Sequence, residues 1–448
     1  KGNTLQGKYR GTDLGGMSGI PHGAGLPLGD YGGAIDISGA AGNLIGGSVP
    51  GAGNLICANW RDAIAIGDAG ATNTVIQGNR IGVKADGVTA LGNDRHGIEI
   101  RLGGGASNTT IGGADPAAGN IIANAAFAQY SGVRIRPHSS NTGILVRGNS
   151  IYLNGGSGAT GLGIDIGAFG VNPNDNCDGD ADANLQQNFP VLTNAQSAGT
   201  VTVVRGTLNS TANASFLLQF YASPTPEPSG LVEGKVFLGD ATVTTGAGCV
   251  GTFTAILTNA ATAGQRITAT ATDPGNNTSE FSTNMLVGAA QLPEFGLQPV
   301  SQTAPFAGNV SFSASATGSG ALGYQWRFNG VNINGATGTS LVVSNLQLTS
   351  GGNYSVVASN VFGTTASTNA LLTVLVSPPT LVAATTASGD LSLAWPTNGP
   401  AFRLLETTNL TPPVIWTDAT NVPVRTNATF RVTLTSTGQP RFFRLVAP

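Results

Sequence analysis

The sequence predicts an all-β protein made of four consecutive parts, and three observations support this prediction. A three-strand unit of about 30 residues repeats through the first 166 residues. The 448-residue chain contains 66 Gly and 37 Asn, the residues that best tolerate the tight corners between short strands. Beyond residue 190, apolar and polar residues alternate with a period of two, which is typical of antiparallel strands.

The repeat contains three strand-forming units. The first reads Gly or Ala, an aliphatic residue, a variable residue and Ile, and its copies are spaced by 29, 34, 35 and 31 residues. The second unit begins with Asn and the third with Gly-Asn. Because short strands cannot enclose a core alone, each repeat has to bury the face that the next repeat exposes. Copies of the first unit begin at Ala34, Ala63, Gly97, Gly132 and Gly163, and copies of the third at Gly53, Gly78, Gly119 and Gly148.

This pattern predicts a parallel β-helix over residues 1–190, with Asn side chains at equivalent positions stacked in a hydrogen-bonded ladder. Three stretches, Asn3-Thr-Leu-Gln-Gly7, Gly51-Ala-Gly-Asn-Leu-Ile56 and Asn108-Thr-Thr-Ile-Gly-Gly113, resemble right-handed β-helix proteins of the pectin-lyase-like class. They are more closely similar to secreted bacterial repeat proteins of that fold. The resemblance implies a right-handed winding and says little about activity, because one fold hosts many functions.

Three further all-β parts follow. We predict a β-sandwich over residues 191–290, an immunoglobulin-like domain over residues 295–376, and a small C-terminal β-domain over residues 380–448. The stretches Tyr324-Gln-Trp326 and Ser350-Gly-Gly-Asn-Tyr-Ser-Val356 resemble an immunoglobulin-like domain. The resemblance implies that Trp326 is the core tryptophan and Tyr354 the corner tyrosine. Val356 stands where such domains usually carry their second cysteine, so this core has to hold by packing alone.

Charge and cysteine content narrow the function classes. The net charge is −3, and the local sums are +1 for residues 1–166, −6 for 167–290 and +2 for 291–448. No basic stripe with interleaved aromatics is present, which argues against nucleic-acid binding. No apolar run approaches the roughly 18 residues of a transmembrane segment.

Cys57 is expected to be a buried thiol, whereas Cys177 and Cys249 either pair in an oxidising compartment or stay free.

The variable residues of the first unit form a column if the repeats stack. Neighbours in the column would lie about 4.8 Å apart, and they should point outward because the aliphatic residues beside them point into the core. His96 and His138 lie near the column in sequence. The column consists of Asp36, Ala65, Glu99, Arg134 and Asp165, flanked by Arg101 and Arg136.

This charged column has two interpretations. It is either a surface ladder of ion pairs that sets the register of the strands, or the groove of a polysaccharide lyase or glycosidase. In the catalytic interpretation, Arg136 would be the base, or Glu99 and Asp165 would act as a pair of acids. The alternating charges favour the ladder, in which Arg134 lies between Glu99 and Asp165.

An acidic loop follows the last repeat. Asp178, Asp180, Asp182 and Asn184 alternate with other residues, which places several hard oxygen ligands within reach of one calcium ion. A solvated polar turn is the alternative, because the spacing and the terminal Glu of an EF-hand loop are missing.

From these features we expect an extracellular or cell-surface structural protein, a subunit of a filament or other surface assembly. The first repeat shows no preceding cap in the sequence. Either upstream repeats or a cap were removed or are missing from this sequence, or exposed strand edges and the apolar end of the repeat stack pair with other copies of the chain. The alternatives are a polysaccharide lyase or glycoside hydrolase with accessory β-modules, and an adhesin-like stalk that binds carbohydrate.

Overall fold

The computed structural model describes residues 2–20, 33–103, 105–156, 161–224, 233–397, 399–435 and 438–447. Strands make up 44% of the chain and helical turns 2%, so the prediction of an all-β protein is confirmed. The chain forms two compact units, Lys1–Ala290 and Gln291–Pro448.

The first unit begins with fifteen short strands in its described residues. Their brevity follows from the Gly and Asn corners between them, several of which have positive φ, as at Gly78 (φ 64°) and Asn108 (φ 56°). In chain order the strands are β1 (Thr4–Leu5), β2 (Tyr9–Arg10), β3 (Gly33–Ser38), β4 (Leu44–Gly46), β5 (Leu55–Ile56), β6 (Asp62–Gly67), β7 (Val75–Gln77), β8 (Arg80–Ile81), β9 (Ile98–Ile100), β10 (Thr110–Gly112), β11 (Ile121–Ala123), β12 (Val133–Ile135), β13 (Leu145–Arg147), β14 (Ser150–Tyr152) and β15 (Ile164–Ile166).

These strands enter three parallel sheets in rotation, so each group of three consecutive strands is one structural repeat. The first parallel sheet contains β1, β4, β7, β10 and β13, the second β2, β5, β8, β11 and β14, and the third β3, β6, β9, β12 and β15. Each strand from β1 to β12 pairs in parallel with the strand three places further along the chain. The sheets therefore combine equivalent units of successive repeats, as the sequence spacing predicts.

The core of this region is a stack of aliphatic side chains. In the third parallel sheet, Ile64 pairs with Ile98 and Ile66 with Ile100, and all four side chains are fully buried. Burial of one such side chain contributes roughly 1.5–3 kcal/mol. Repetition of the Gly/Ala-aliphatic-x-Ile unit thus supplies one layer of core per repeat.

The predicted asparagine ladder is confirmed. The Nδ2 of Asn54 donates to the Oδ1 of Asn79, that of Asn79 to Asn120, and that of Asn120 to Asn149, each at 2.9 Å. All four residues are buried. Each Oδ1 also accepts the backbone N–H of the preceding ladder member, so the ladder satisfies corner amides that the short strands leave unpaired.

Two antiparallel layers follow the repeats in the first unit. The strands are β16 (Val191–Ala198), β17 (Val201–Asn209), β18 (Ser215–Ser223), β19 (Val236–Thr244), β20 (Val250–Leu257), β21 (Arg266–Thr272), β22 (Met285–Leu286) and β23 (Gly288–Ala289). They form the sheets β20-β17-β16-β23 and β19-β18-β21-β22. Alternating side chains such as Phe216, Leu218 and Phe220 fill the core between the sheets. We call these two sheets the sandwich.

The second unit contains seventeen further strands in its described residues. They are β24 (Glu294–Leu297), β25 (Gln302–Pro305), β26 (Val310–Ser313), β27 (Ser315–Thr317), β28 (Gly323–Phe328), β29 (Val331–Asn332), β30 (Ser340–Val343), β31 (Gly352–Asn360), β32 (Gly363–Ala366), β33 (Ala370–Leu375), β34 (Val382–Thr385), β35 (Leu391–Pro396), β36 (Arg403–Thr407), β37 (Thr417–Asp418), β38 (Val424–Thr426), β39 (Thr429–Leu434) and β40 (Phe442–Val446). Across the two units, short 3₁₀ helices lie at Pro116–Ala118 and Ala183–Gln186 in the first and at Leu348–Ser350 in the second.

The predicted positions of the two key aromatic residues in this unit are confirmed. Trp326 on β28 is fully buried and pairs across the sheet with Val356 on β31. The hydroxyl of Tyr354 donates to the backbone oxygen of Ser350 at 2.9 Å, which is the bond of a tyrosine corner. The ring of Phe312 stacks on Tyr354 with centroids 4.8 Å apart. Apolar packing therefore occupies the place of the missing disulfide.

The last strands form two small sheets, β34-β35-β39-β38 and β37-β36-β40. Trp395, Leu404 and Val432 are buried between them. These two sheets therefore share a core around one tryptophan.

Candidate functional site

The charged column lies on the third parallel sheet in the predicted register. Asp36 pairs with Ala65, Ala65 with Glu99, Glu99 with Arg134, and Arg134 with Asp165. Each residue stands between two core-facing aliphatic residues of its strand, so the column lies on the face of the sheet turned away from the core.

The expectation that this column lies on the protein surface is wrong from Ala65 to Asp165, whereas Asp36 is exposed as expected. Glu99, Arg134 and Asp165 are only 3%, 2% and 0% exposed. Segments between the strands fold over this face: the ring of Phe169 lies 4.4 Å from the Arg134 guanidinium, and Tyr130 packs edge-on against His96. The period-two pattern defines which face a side chain occupies, but not whether a connecting segment covers that face.

The ion pairs differ in part from the predicted ladder. Arg134 Nη1 lies 2.8 Å from Asp165 Oδ1, as predicted for these neighbours. Glu99, however, pairs with Arg136 at 2.5 Å and lies 3.8 Å from Arg101 Nε. Glu99 is therefore paired with Arg136 and Arg101, which flank the column, and not with Arg134, its neighbour on the adjacent strand.

The guanidinium groups of Arg101 and Arg134 each bind one more group of the protein. Arg101 also binds Asp36 at 2.8 Å through its guanidinium. Arg134 donates to the backbone oxygen of Gly167 at 2.6 Å. The guanidinium groups are therefore committed to partners within the protein.

A second row of polar groups lies beside the column. The backbone N–H of His96 donates to Asp62 at 3.0 Å, and the Nδ1 of His96 accepts the N–H of Ser131 at 2.9 Å. The hydroxyl of Ser131 donates to Asp165 at 3.0 Å. We call this row, together with Glu99, Arg101 and Arg134, the buried polar layer. His138, the other histidine noted in the sequence, instead contacts Ser140 at the surface.

Burial shifts the pKa values in this layer. Burial, followed by the nearby arginines, lowers the pKa of His96 to about 3, so the imidazole is neutral at physiological pH. Burial raises the pKa of Asp165 to about 6, against the opposing effect of Arg134. Burial and the carboxylate of Glu99 raise the pKa of Asp62 well above its usual range. The carboxyl groups of Asp62 and Asp165 therefore keep their protons to a higher pH than exposed carboxyl groups would, whereas His96 loses its proton at a lower pH than an exposed histidine.

The four predicted calcium ligands do not converge. Asp178 accepts hydrogen bonds from the N–H of Asn188 and the hydroxyl of Ser210. Asn184 is fully buried and accepts the N–H of Ile144, whereas Asp180 and Asp182 are half-buried. Within the described residues, no three His, Cys, Asp or Glu side chains stand together in a way that could hold a metal ion. Calcium binding stays a prediction.

The acidic loop is tied to the sandwich by a disulfide. Cys177 and Cys249 are bonded, with their Cα atoms 5.1 Å apart, which is the pairing that the sequence left open. Cys57 is a buried free thiol, as expected, and burial raises its pKa to about 12.

Sequence reasoning missed the side chains that connect the last repeat to the sandwich. The outer edge of a parallel sheet leaves backbone N–H groups without a strand partner, and in the last repeat side chains bind these groups. Asn184 binds the N–H of Ile144, Thr278 that of Val146, Gln219 that of Gly148, and Glu280 those of Ile166 and Asn172. We call these contacts the seam. No sequence signal identifies them, because each partner lies far away along the chain.

Comparisons with known proteins show limited similarity. No family model matches the chain, and no curated protein matches it. Among solved structures, the I-band fragment I67–I69 from titin has 15% identity and a TM-score of 0.26, covering 55% of this chain and 88% of that one. The tandem Ig repeats of Dlar have 14% identity and a TM-score of 0.19, covering 42% of this chain and all of that one. Scores this low leave the fold to be defined by the strand pairing described above.

None of the helices among the described residues has the length and hydrophobicity needed to cross a membrane.

Proposed function

We propose that this chain is an extracellular structural protein, a subunit of a filament or surface assembly, and that its parallel sheets wind as a right-handed β-helix. The disulfide between Cys177 and Cys249 supports an oxidising compartment, where such bonds persist. Resemblance of the repeats to secreted bacterial proteins supports the same location.

One observation carries the structural assignment: the charged column is buried from Ala65 to Asp165, although its Asp36 end is exposed. Asp165 is 0% and Arg134 2% exposed, and each is bound by the other. A polymer substrate cannot reach such groups, whereas buried and paired charges fix the register of the repeats. The column therefore supports a structural role better than the lyase or glycosidase alternative.

Strand edges supply the proposed assembly contact. In the described residues, β1, β2 and β3 stand at the ends of the three parallel sheets and pair on one side only, whereas side chains of the sandwich bind the N–H groups at the opposite ends. Unpaired edges of this kind accept strands from other chains. We therefore expect copies of the chain to associate through the first repeat.

Assembly can be tested by light scattering and negative-stain electron microscopy of the purified chain. We expect oligomers for the parent, and their loss in the double variant Thr4→Lys/Tyr9→Lys, because charge on an edge strand opposes pairing. Val191→Lys is the matched control, since it places a lysine at a 44%-exposed position on the interior strand β16. Monomers of the parent chain at all concentrations would contradict the proposal.

The same samples test the calcium prediction and the enzymatic alternative. Loss of oligomers after adding EGTA would assign calcium a role, and unchanged oligomers would remove it. Incubation with polygalacturonate and alginate should yield no products. Turnover by the parent that is lost in Arg136→Gln, a substitution at a 30%-exposed side chain, would favour the lyase instead.

A further inference from the structure

The edge strand β20 of the sandwich is long and unprotected. In the described part of the chain, β20 is the last strand of its sheet and pairs only with β17. Its sequence, Val-Gly-Thr-Phe-Thr-Ala-Ile-Leu, contains no charged residue and no proline. Its pairing with β17 runs without a shift in register, so no bulge bends it away. Natural proteins usually shorten, charge or cover such edges, because their unpaired backbone groups can pair with other chains.

The other three edges of the sandwich are short or occupied. The strands β22 and β23 contain two residues each. On β19, Asp240 pairs with Arg147 of the last repeat at 2.8 Å. The backbone oxygen of Lys235, directly before β19, accepts the hydroxyl of Ser150 at 2.6 Å. Among the described strands of the sandwich, β20 is therefore the long edge that remains free.

Three residues of β20 have backbone groups that point away from β17. Hydrogen-bonded and non-hydrogen-bonded pairs alternate along an antiparallel ladder. The N–H of Ser210, one residue past the end of β17, donates to the backbone oxygen of Cys249 at 2.9 Å, so odd-numbered residues of β20 bond to β17 and even-numbered residues face the free side. Three of the latter, Thr252, Thr254 and Ile256, have N–H groups that bond to no other described residue.

The exposed side chains of β20 are complementary to those of a second copy of the same strand. Val250, Thr252, Thr254 and Ile256 are exposed on the outer face of the sheet. If two copies of β20 pair antiparallel about a two-fold axis at Phe253, Thr252 lies opposite Thr254 of the second copy. The same register places Val250 opposite Ile256. Pairs of threonines and pairs of β-branched apolar residues are favourable cross-strand neighbours, and no like charges are opposed.

We propose that β20 is a dimerisation edge, at which β20 of a second copy extends the sheet by antiparallel pairing centred on Phe253. Thr252 and Thr254 would then form hydrogen-bonded pairs on both sides of the axis. A symmetric contact of this kind joins only two copies, whereas this contact and the contact between first repeats together extend into a chain of copies. That extension rests on the proposed assembly, but the pairing of β20 does not.

Cysteine cross-linking tests the pairing and its register. Thr252→Cys and Thr254→Cys are made separately in the Thr4→Lys/Tyr9→Lys variant, in which the contacts of the first repeat are already removed. We expect a disulfide-linked species of twice the chain mass when the two variants are mixed and oxidised, because opposite residues of a hydrogen-bonded pair have Cα atoms about 5.5 Å apart. Each variant alone should stay unlinked, because its two cysteines would lie diagonally, about 7–8 Å apart. Non-reducing electrophoresis measures the linked fraction.

The chain provides the controls for this experiment. Both threonines are exposed, so the substitutions leave the core unchanged. The native cysteines do not take part, because Cys177 and Cys249 are bonded to each other and Cys57 is buried. Absence of the linked species from the mixture would overturn the proposal, as would equal amounts in the mixture and in either variant alone. Neither outcome bears on the contacts of the first repeat, which are tested in the parent chain.

Discussion

At the residue scale, burial changes what the charged column can do. Arg134 and Asp165 are predicted neighbours and do pair, but Phe169 and the seam enclose them. An enclosed pair is sensitive to the loss of one partner, because the remaining charge has neither a counter-ion nor water.

We expect Arg134→Ala to lower the free energy of unfolding by about 3–5 kcal/mol, since it leaves Asp165 buried without its cation. Urea denaturation followed by circular dichroism measures the change. Arg205→Ala is the control: Arg205 is exposed on β17, and its loss should change stability by less than about 0.5 kcal/mol. Equal effects of the two substitutions would show that the column is solvated.

The buried acids also predict an unusual pH dependence. Asp62 and Glu280 have raised pKa values in the folded protein, so they keep protons that the unfolded chain has already released. Unfolding then releases protons, so stability should fall as pH rises from 6.5 to 8. Below pH 6.5, His96 acts in the opposite sense, because its pKa is lowered to about 3.

Urea denaturation at pH 6.5, 7.2 and 8.0 checks this trend. The double variant Asp62→Asn/Glu280→Gln should lose most of the slope, because neither side chain then titrates. Stability that increases over this range in the parent chain would contradict the assignment of these protons.

At the scale of elements, the asparagine ladder compensates for the shortness of the strands. Strands of two or three residues form few backbone hydrogen bonds, and the corners between them leave amides that need partners. Asn79 and Asn120 each accept two hydrogen bonds from the ladder residue before them and donate to the one after. The repeated Gly-Asn unit in the sequence therefore forms hydrogen bonds between successive repeats as well as the corners between strands.

We expect Asn120→Ala to destabilise the first unit by roughly 3 kcal/mol, because it leaves buried donors of Asn79 and the backbone oxygen of Ile76 unpaired. These groups now bond to Asn120 at 2.8–2.9 Å. Thermal unfolding measures the loss. Asn259→Ala, at an exposed position of the sandwich, should leave the midpoint nearly unchanged, and a similar shift in both variants would count against a cooperative ladder.

At the scale of the whole molecule, the parallel sheets and the sandwich form one compact unit, Lys1–Ala290, although their sequences predict separate domains. The sandwich supplies side chains that bind the amide edge of the last repeat, and Arg147 pairs with Asp240 at 2.8 Å. The disulfide adds a covalent link between the acidic loop and the sandwich.

Reduction of the disulfide should therefore destabilise this unit. Cys177 and Cys249 are 72 residues apart, and a loop of that length corresponds to about 4 kcal/mol in the chain-entropy description. Urea denaturation with and without dithiothreitol measures the difference. In the variant Cys177→Ala/Cys249→Ala the reductant should have no effect, and a change there would show that the loss in the parent does not come from reduction of this bond.

The sequence by itself determined the periodic features of this protein. The repeat, the register of the column from Asp36 to Asp165, the asparagine ladder and the places of Trp326 and Tyr354 all follow from local spacing, because stacked repeats and alternating strands convert sequence intervals directly into contacts. Only the tertiary structure decided which faces are covered and which edges are bound. The burial of Glu99 and Arg134, the pairing of Glu99 with Arg136 and the contacts of Glu280 in the seam depend on segments distant in sequence, whose positions no local pattern encodes.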